Sequence, residues 1–244
     1  RPGVPELAAL ADDINHLAAT LDATEQHRAA LIGDVAHEMR TPLTTITGYL
    51  EGFHDGLFSA DEMAATVGTE VSRLHHLAQD LAAVSRSEEG QVLLELGRSD
   101  LSEIVRTVTA RLAHRFAAAA VTVTVDAPDS LPAIVDRERM IQALTNLVGN
   151  ALAYTPAGGR VTVSADVPDG IRLRVSDTGR GLRRDDLERV FERFYRADAH
   201  DHSGGTGIGL TISRAIVRAH GGELTAHSAG PGHGSTFEIV LPRR

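Results

Sequence analysis

Hydrophobic spacing changes character near the middle of this chain, from helical steps alone to helical steps interleaved with strict alternation, and that restricts it to a helical segment followed by a mixed one. Leu7, Leu10, Ile14, Leu17 and Leu21 step by three and four, the heptad seam of a coiled coil. Thr24, His27 and Arg28 interrupt it. A new stripe then runs through Ile32, Val35, Met39, Leu43, Ile46, Leu50 and Phe53. Gly56-Leu57-Phe58-Ser59 reads as a turn in which Ser59 caps a second helix carrying Met63, Val67, Val71, Leu74, Leu77, Leu81 and Val84. From Glu6 to about Glu88 there is almost no strand signal. Two amphipathic helices joined by a short turn make a hairpin whose apolar stripe stays uncovered in a single copy, so the expected solution is a four-helix dimer. A coiled-coil spacer without chemistry is the alternative at this point.

Ser87-Glu88-Glu89-Gly90 ends the second helix and opens a linker. From Asp100 the pattern predicts a helix to about Ala119, a strand over Val121–Val125, and a helix from about Asp136 to Ala153. Strands over Val161–Val167 and Ile171–Ser176 flank Pro168-Asp169-Gly170, the turn of an antiparallel hairpin. After a Gly-rich stretch come a helix from about Gly207 to His220 and strands around Leu224 and Phe237–Leu241. Antiparallel strands with helices between them point to a two-layer α+β domain rather than a parallel doubly wound sheet.

Composition removes several function classes. All 24 basic residues are arginine, so a P-loop lysine, a Schiff base and the strand lysine of eukaryotic-type protein kinases are excluded. The absence of cysteine excludes disulfides and cysteine-ligated zinc. A formal net charge of -9 argues against broad nucleic-acid binding. No run approaches the ~18 consecutive apolar residues of a membrane span. The start at Arg1-Pro2-Gly3, without initiator Met or signal peptide, reads as that of an excised fragment.

Three clusters in the second half suit phosphate chemistry. Gly204-Gly205-Thr206-Gly207-Ile208-Gly209-Leu210 opens a helix, and unobstructed amides at a helix start bind anionic oxygens. It is neither a Walker nor a Rossmann motif, and a flexible turn is the alternative. Asp177-Thr178-Gly179-Arg180-Gly181 ends a strand whose alternation turns Asp177 toward the buried layer. An unpaired carboxylate there is costly; a ligand amino group or a backbone cap would satisfy it. Asn146, Asn150 and Tyr154 recur at i, i+4 and i+8 on one helix. Amide oxygens suit a hard cation such as Mg²⁺ that shares nucleotide phosphates, and an ordinary solvated face is the alternative.

Taken together and in order, Asn146-Leu-Val-Gly-Asn150-Ala-Leu-Ala-Tyr154-Thr-Pro156, Asp177-Thr-Gly-Arg-Gly181, Phe191-Glu-Arg-Phe-Tyr-Arg196 and Gly205-Thr-Gly-Ile-Gly209-Leu210 resemble the N, G1, F and G2 boxes of sensor histidine kinases. The resemblance implies the Bergerat ATP fold, a two-layer α/β sandwich. It implies that Asn150 coordinates Mg²⁺, that Asp177 bonds the adenine amino group and that Tyr154 packs on the nucleotide. Gly205, Gly207 and Gly209 would approach the phosphates, with Asn146, Gly179, Gly181, Thr206 and Leu210 completing the ATP site. The segment between Gly181 and Gly204 resembles the family's mobile ATP lid. Ala153 departs from the pattern, standing where relatives often carry a basic residue. Phosphate neutralisation would then fall to Mg²⁺, helix dipoles or an arginine.

The first half supplies an acceptor in His37-Glu38-Met39-Arg40-Thr41-Pro42-Leu43. At about 100° per residue the apolar stripe centres near ~35° from Val35, while His37 lies near ~200°, on the outer face. Thr41 is one turn on and about 40° away. Pro42 removes a helical hydrogen bond and should bend the helix beside His37. Any of the twelve histidines is ordinarily a surface residue, and His75-His76 and His200/His202 fit that reading. For His37 the neighbours differ: neutral imidazole is a competent nucleophile, and Glu38 can hold one ring N–H. The run is similar to the H box of the HisKA class, with Glu38-Met-Arg-Thr41 matching its E-x-x-T phosphatase pattern.

The expected organisation is residues 1–22 as the C-terminal helix of a HAMP-like linker, 23–94 as the dimerisation and histidine-phosphotransfer hairpin, and 97–244 as the catalytic ATP-binding domain. The resemblance implies Mg·ATP-dependent autophosphorylation of His37, transfer to an aspartate of a response regulator, and phosphatase activity on that regulator through Thr41. A Bergerat ATPase without phosphotransfer and a degenerate kinase acting as a dimeric scaffold are the alternatives. The HAMP-like start implies a cytoplasmic portion of a membrane-anchored protein. The break at Thr24–Arg28 suggests a bistable coupling element.

Overall fold

The computed structural model describes residues 9, 14, 33, 35–36, 38–88, 94–167, 170–197 and 207–243. The HAMP-like start apart from Ala9 and Ile14, the Thr24–Arg28 break, His37, the Pro168-Asp169 pair, Gly205 and Thr206 lie outside them. Two compact units divide between His75 and His76.

In the first unit, residues 38–54 form helix α1, and helix α2 spans Ala60–Glu88, running on past the division. The turn between them depends on Gly56, whose φ of 74° is left-handed. Ser59 caps α2 as its sequence predicts. The Glu62 amide donates to Ser59 Oγ at 3.2 Å, while Glu62 Oε2 accepts from the Ser59 amide at 2.8 Å and hydroxyl at 2.7 Å, a reciprocal capping box. These bonds, the backbone one first, hold the Glu62 carboxyl below its ordinary range. Tyr49 stacks on Phe58 with ring centroids 4.4 Å apart, directly over Gly52, where a Cβ would lie 2.5 Å from Phe58 Cε2. Pro42 is buried inside α1. No described helix is long and apolar enough to cross a membrane.

The second unit runs β1 (Gly97–Asp100), α3 (Leu101–Ala118), β2 (Thr122–Asp126), β3 (Pro132–Val135), α4 (Arg137–Ala153), β4 (Arg160–Asp166), β5 (Ile171–Asp177), α5 (Asp186–Arg189), α6 (Gly209–Ala219), β6 (Glu223–His227) and β7 (Thr236–Leu241). Five strands form one sheet in the order β2-β4-β5-β7-β6. Its register lines up Val125, Val163, Val175, Phe237 and Ala226 across all five strands. Alternation buries one face of β4, β5 and β7 against α3, α4 and α6, which contribute Ile104, Val108, Leu144, Leu147 and Val217 to a single core. The opposite face is polar: Arg174 bonds Asp166 and Glu238 at 2.6 Å each, and Ser176 pairs with Thr236 at 2.9 Å.

Three features depart from the expectation of antiparallel strands alternating with helices. β2 and β4 pair in parallel because the chain between them crosses over through α4, the connection parallel pairing requires. β1 and β3 form a separate antiparallel pair, and α5 adds one short helical turn. Each is too short to carry a period of its own.

Candidate functional site

α4 carries the asparagine row. Asp136 caps its start, accepting from the Arg139 amide at 3.0 Å, and Tyr154 stands at its C-cap. Met140, Leu144, Leu147, Val148 and Ala151 anchor its buried side, which leaves Asn146, Asn150 and Tyr154 half-buried. The two asparagines are not equivalent. Asn146 Nδ2 donates to the Gly209 carbonyl at 3.1 Å, joining α4 to the start of α6. The Asn150 carboxamide makes no hydrogen bond to the described residues, so its oxygen is available to a hard cation.

Asp177 ends β5 on the buried face, 9% exposed, as the strand alternation predicts. Its Oδ1 accepts from the Gly179 amide at 2.8 Å and the Ser235 amide at 3.2 Å. Oδ2 accepts nothing from the described residues. Burial pushes the carboxyl above its ordinary range, and the two amides partly offset that. A buried acceptor held by backbone on one oxygen and open on the other fits an amino-group donor.

Backbone closeness shapes the wall around Asp177. A Cβ on Gly179 would strike the Tyr154 carbonyl oxygen. Gly181 has φ 69°, and a Cβ there would strike the Gly230 carbonyl oxygen. The Arg180 amide donates to the Tyr154 carbonyl at 3.2 Å, tying the end of α4 to the loop after β5. The Arg180 guanidinium lies 3.8 Å from the centre of the Tyr154 ring. Tyr154 follows Ala153, which is exposed, so a cation is held beside the position that lacks a basic side chain.

Of the glycine segment, residues 207–210 are described. Gly207 has φ 74°, and a Cβ would lie 2.8 Å from the Phe194 Cα. Gly209 begins α6 beside Asn146, and Leu210 packs against the core. The Phe191–Arg196 run folds onto α6. The Phe194 amide donates to the Gly207 carbonyl at 3.0 Å, with Phe194 itself at φ 56°. Thr211 Oγ1 donates to the Phe191 carbonyl at 2.9 Å, and Arg214 packs over the Phe191 ring at 4.6 Å. The Tyr195 hydroxyl donates to Asp186 Oδ1 at 2.6 Å.

Asn146, Asn150, Tyr154, Asp177, Gly179, Gly181, Gly207 and Gly209 thus lie on the end of α4, the end of β5 and the start of α6. Sequence reasoning missed the Arg180 stack, although Arg180 stood inside a quoted motif. It also missed His220, which is 3% exposed and bonded to the Asp136 amide; its only signal was a histidine at the end of an otherwise apolar helix stripe. In the first unit, Glu38 is half-buried and Thr41 exposed on α1, and the Thr41 carbonyl accepts from Thr45 Oγ1 at 3.2 Å. Among the described residues no cluster of His, Asp or Glu could hold a metal by itself.

Comparisons with known proteins agree with both units. Residues 27–90 match the family described as His Kinase A (phospho-acceptor) domain. Residues 135–244 match the one described as Histidine kinase-, DNA gyrase B-, and HSP90-like ATPase. The chain is 37% identical over 243 residues to the signal transduction histidine-protein kinase BaeS of Escherichia coli, covering 98% of this chain and 52% of that protein. It is 34% identical over 244 residues to the sensor histidine kinase WalK of Bacillus subtilis, covering 93% of this chain and 39% of that one. The solved structure of the Acinetobacter baumannii histidine kinase AdeS superposes with a TM-score of 0.72 at 30% identity, over 85% of this chain and 98% of that chain. The chain spans about half the length or less of these two curated relatives.

Proposed function

The chain belongs to the histidine kinase family, and from that premise we propose that it is the core of a sensor kinase that phosphorylates its own His37 from Mg·ATP. The observation that carries this reading is the Asp177 carboxylate, buried and bonded through Oδ1 to the Gly179 and Ser235 amides, with Oδ2 accepting nothing from the described residues. Oδ2 accepts the adenine amino group, Tyr154 covers the base, and the amides opening α6 receive phosphate oxygens. Asn150 is the ligand for Mg²⁺, which supplies charge neutralisation at the phosphates when bound.

His37 attacks through the ring nitrogen that Glu38 leaves free. A nitrogen–phosphorus bond forms as the bond from the γ-phosphorus to the bridging oxygen breaks, and ADP leaves. Positioning and electrostatics dominate such a transfer. His37 then passes the phosphoryl group to an aspartate of a response-regulator receiver domain. Thr41, on the exposed face of α1, aligns a water that later hydrolyses the regulator's phosphoaspartate. Two copies pair through the apolar stripe of α1 into the four-helix dimer. The chain corresponds to the cytoplasmic portion of a membrane-anchored sensor kinase.

Incubation with γ-labelled ATP followed by acid and alkali treatment tests the reading. Label that survives alkali and is lost in acid is the expected result. ATP hydrolysis without protein label would make the chain an ATPase alone, and neither activity would make it a scaffold.

A further inference from the structure

Asn150 and the glycine turn sit on different helices, so a nucleotide touching both is sensitive to how those helices slide past each other. α4 and α6 run antiparallel and are joined at three levels. At the site end Asn146 Nδ2 donates to the Gly209 carbonyl at 3.1 Å. Midway, Ser213 Oγ donates to the Gly209 carbonyl at 2.8 Å and lies 3.3 Å from the Ala143 carbonyl. At the far end the Asp136 amide donates to His220 Nε2 at 2.9 Å, joining the N-cap residue of α4 to the C-cap residue of α6.

That far bond is fixed from both sides. His220 is buried, and its Nδ1 lies 2.8 Å from the Ile216 carbonyl. A carbonyl only accepts, so Nδ1 carries the proton and Nε2 presents its lone pair to Asp136. The Asp136 carboxylate is divided as well. Oδ1 caps α4 through the Arg139 amide, and Oδ2 accepts from the Glu95 amide at 3.0 Å. Glu95 lies on the segment that leads from α2 into β1.

We propose that His220 and Asp136 are positioning residues for the nucleotide. They clamp the far ends of α4 and α6, set the register in which Asn150 and the first amides of α6 face the same phosphates, and tie that register to the segment holding Glu95. The inference rests on the nucleotide reading above. Helices transmit a displacement along their axes nearly undiminished, and a misplacement of about 1 Å can cost ~100-fold in a positioned reaction. Linkage then requires that a nucleotide which tightens the register also tightens the Glu95 bond.

Calorimetric titration of the full chain with Mg·ADP tests this, with melting temperature recorded for each protein. His220→Leu keeps the volume and removes both bonds; it should weaken Mg·ADP by at least ~10-fold. His220→Gln restores an acceptor for the Asp136 amide and should recover most of the affinity. A folded His220→Leu protein with wild-type affinity would overturn the proposal, because a purely structural residue would move the melting temperature alone. Should His220→Leu not fold, hydrogen exchange of the wild type decides. Saturating Mg·ADP should slow exchange at the Glu95 amide, and unchanged exchange with nucleotide bound would equally overturn it. Failure of the wild type to bind Mg·ADP at all would instead remove the nucleotide reading itself.

Discussion

The helical hairpin and the α+β domain solve the same problem in opposite ways. In the domain, Leu101, Ile104, Met140, Leu147 and Ile239 are completely buried by the domain's own sheet and helices. On α1, Leu43 and Leu50 are each 48% exposed, and Met39 and Phe53 42%. Covering four half-exposed chains of this size with a second copy is worth on the order of 5 kcal/mol per protomer. The domain's stability is therefore internal, whereas the proposed four-helix dimer would make the hairpin's depend on concentration. On that proposal, nucleotide binding rests on a self-sufficient body and transfer on one whose packing is shared between two copies.

The comparison is broken most severely by exchanging the chemistry between the two bodies. His37→Gln should abolish labelling by γ-labelled ATP while calorimetry shows unchanged Mg·ADP binding. Conversely, Asn150→Ala should drop Mg·nucleotide affinity below detection while light scattering still reports a dimer. Residual label in the first variant would place the acceptor elsewhere; wild-type affinity in the second would remove the metal assignment.

Packing substitutions should have intermediate effects of two distinct kinds. Leu147→Ala opens a cavity in the domain core and should cost roughly 2–5 kcal/mol at any protein concentration. Phe53→Glu should leave the domain's melting transition in place and shift the monomer–dimer equilibrium. A Phe53→Glu protein that stays dimeric at micromolar concentration would show that the stripe is not the interface. More selective still is Thr41→Ala, expected to keep autophosphorylation and transfer but slow regulator dephosphorylation by at least ~10-fold. Equal loss of all three activities would make Thr41 a helix-bend residue beside Pro42.

The smallest effect concerns pH. Burial raises the Asp177 carboxyl above its ordinary value, so over that interval the folded apo domain holds a proton the unfolded chain has released. Stability from this group accordingly falls as pH rises from the ordinary carboxylate pKa to the raised one, and stays at the lower level above it. Asp177→Asn should flatten that slope in thermal melts, raising or preserving the apo melting temperature at neutral pH while removing adenine recognition. A steeper slope in the variant would contradict burial as the cause.

What the sequence disclosed was what short-range spacing encodes. The Ser59 cap needs no tertiary partner and formed as read, and the structure adds Glu62, three residues on, as its reciprocal partner. The inward turn of Asp177 follows from alternation along one strand, and the asparagine row from the pitch of one helix. Features made by partners distant in sequence were not visible. Arg180 on Tyr154, His220 against Asp136 and the β1–β3 pair all join segments tens of residues apart. The parallel placement of β2 beside β4 is of the same kind, since a crossover is a property of two strands and the helix between them.

Around Asp177 the molecule is laid backbone against backbone. Gly181 faces the Gly230 carbonyl, Gly179 the Tyr154 carbonyl, and Gly234, at φ 71°, the Asp177 carbonyl. A side chain added at Gly181 or Gly234 would face both a steric collision and a conformation L residues rarely adopt. Variation that preserves the site is thus confined to its rim, where Ala153, Tyr154 and Arg180 still offer room for exchange. The loops at Gly179, Gly181 and Gly234 are in this sense a fixed frame for the Asp177 carboxylate, closed to added side chains.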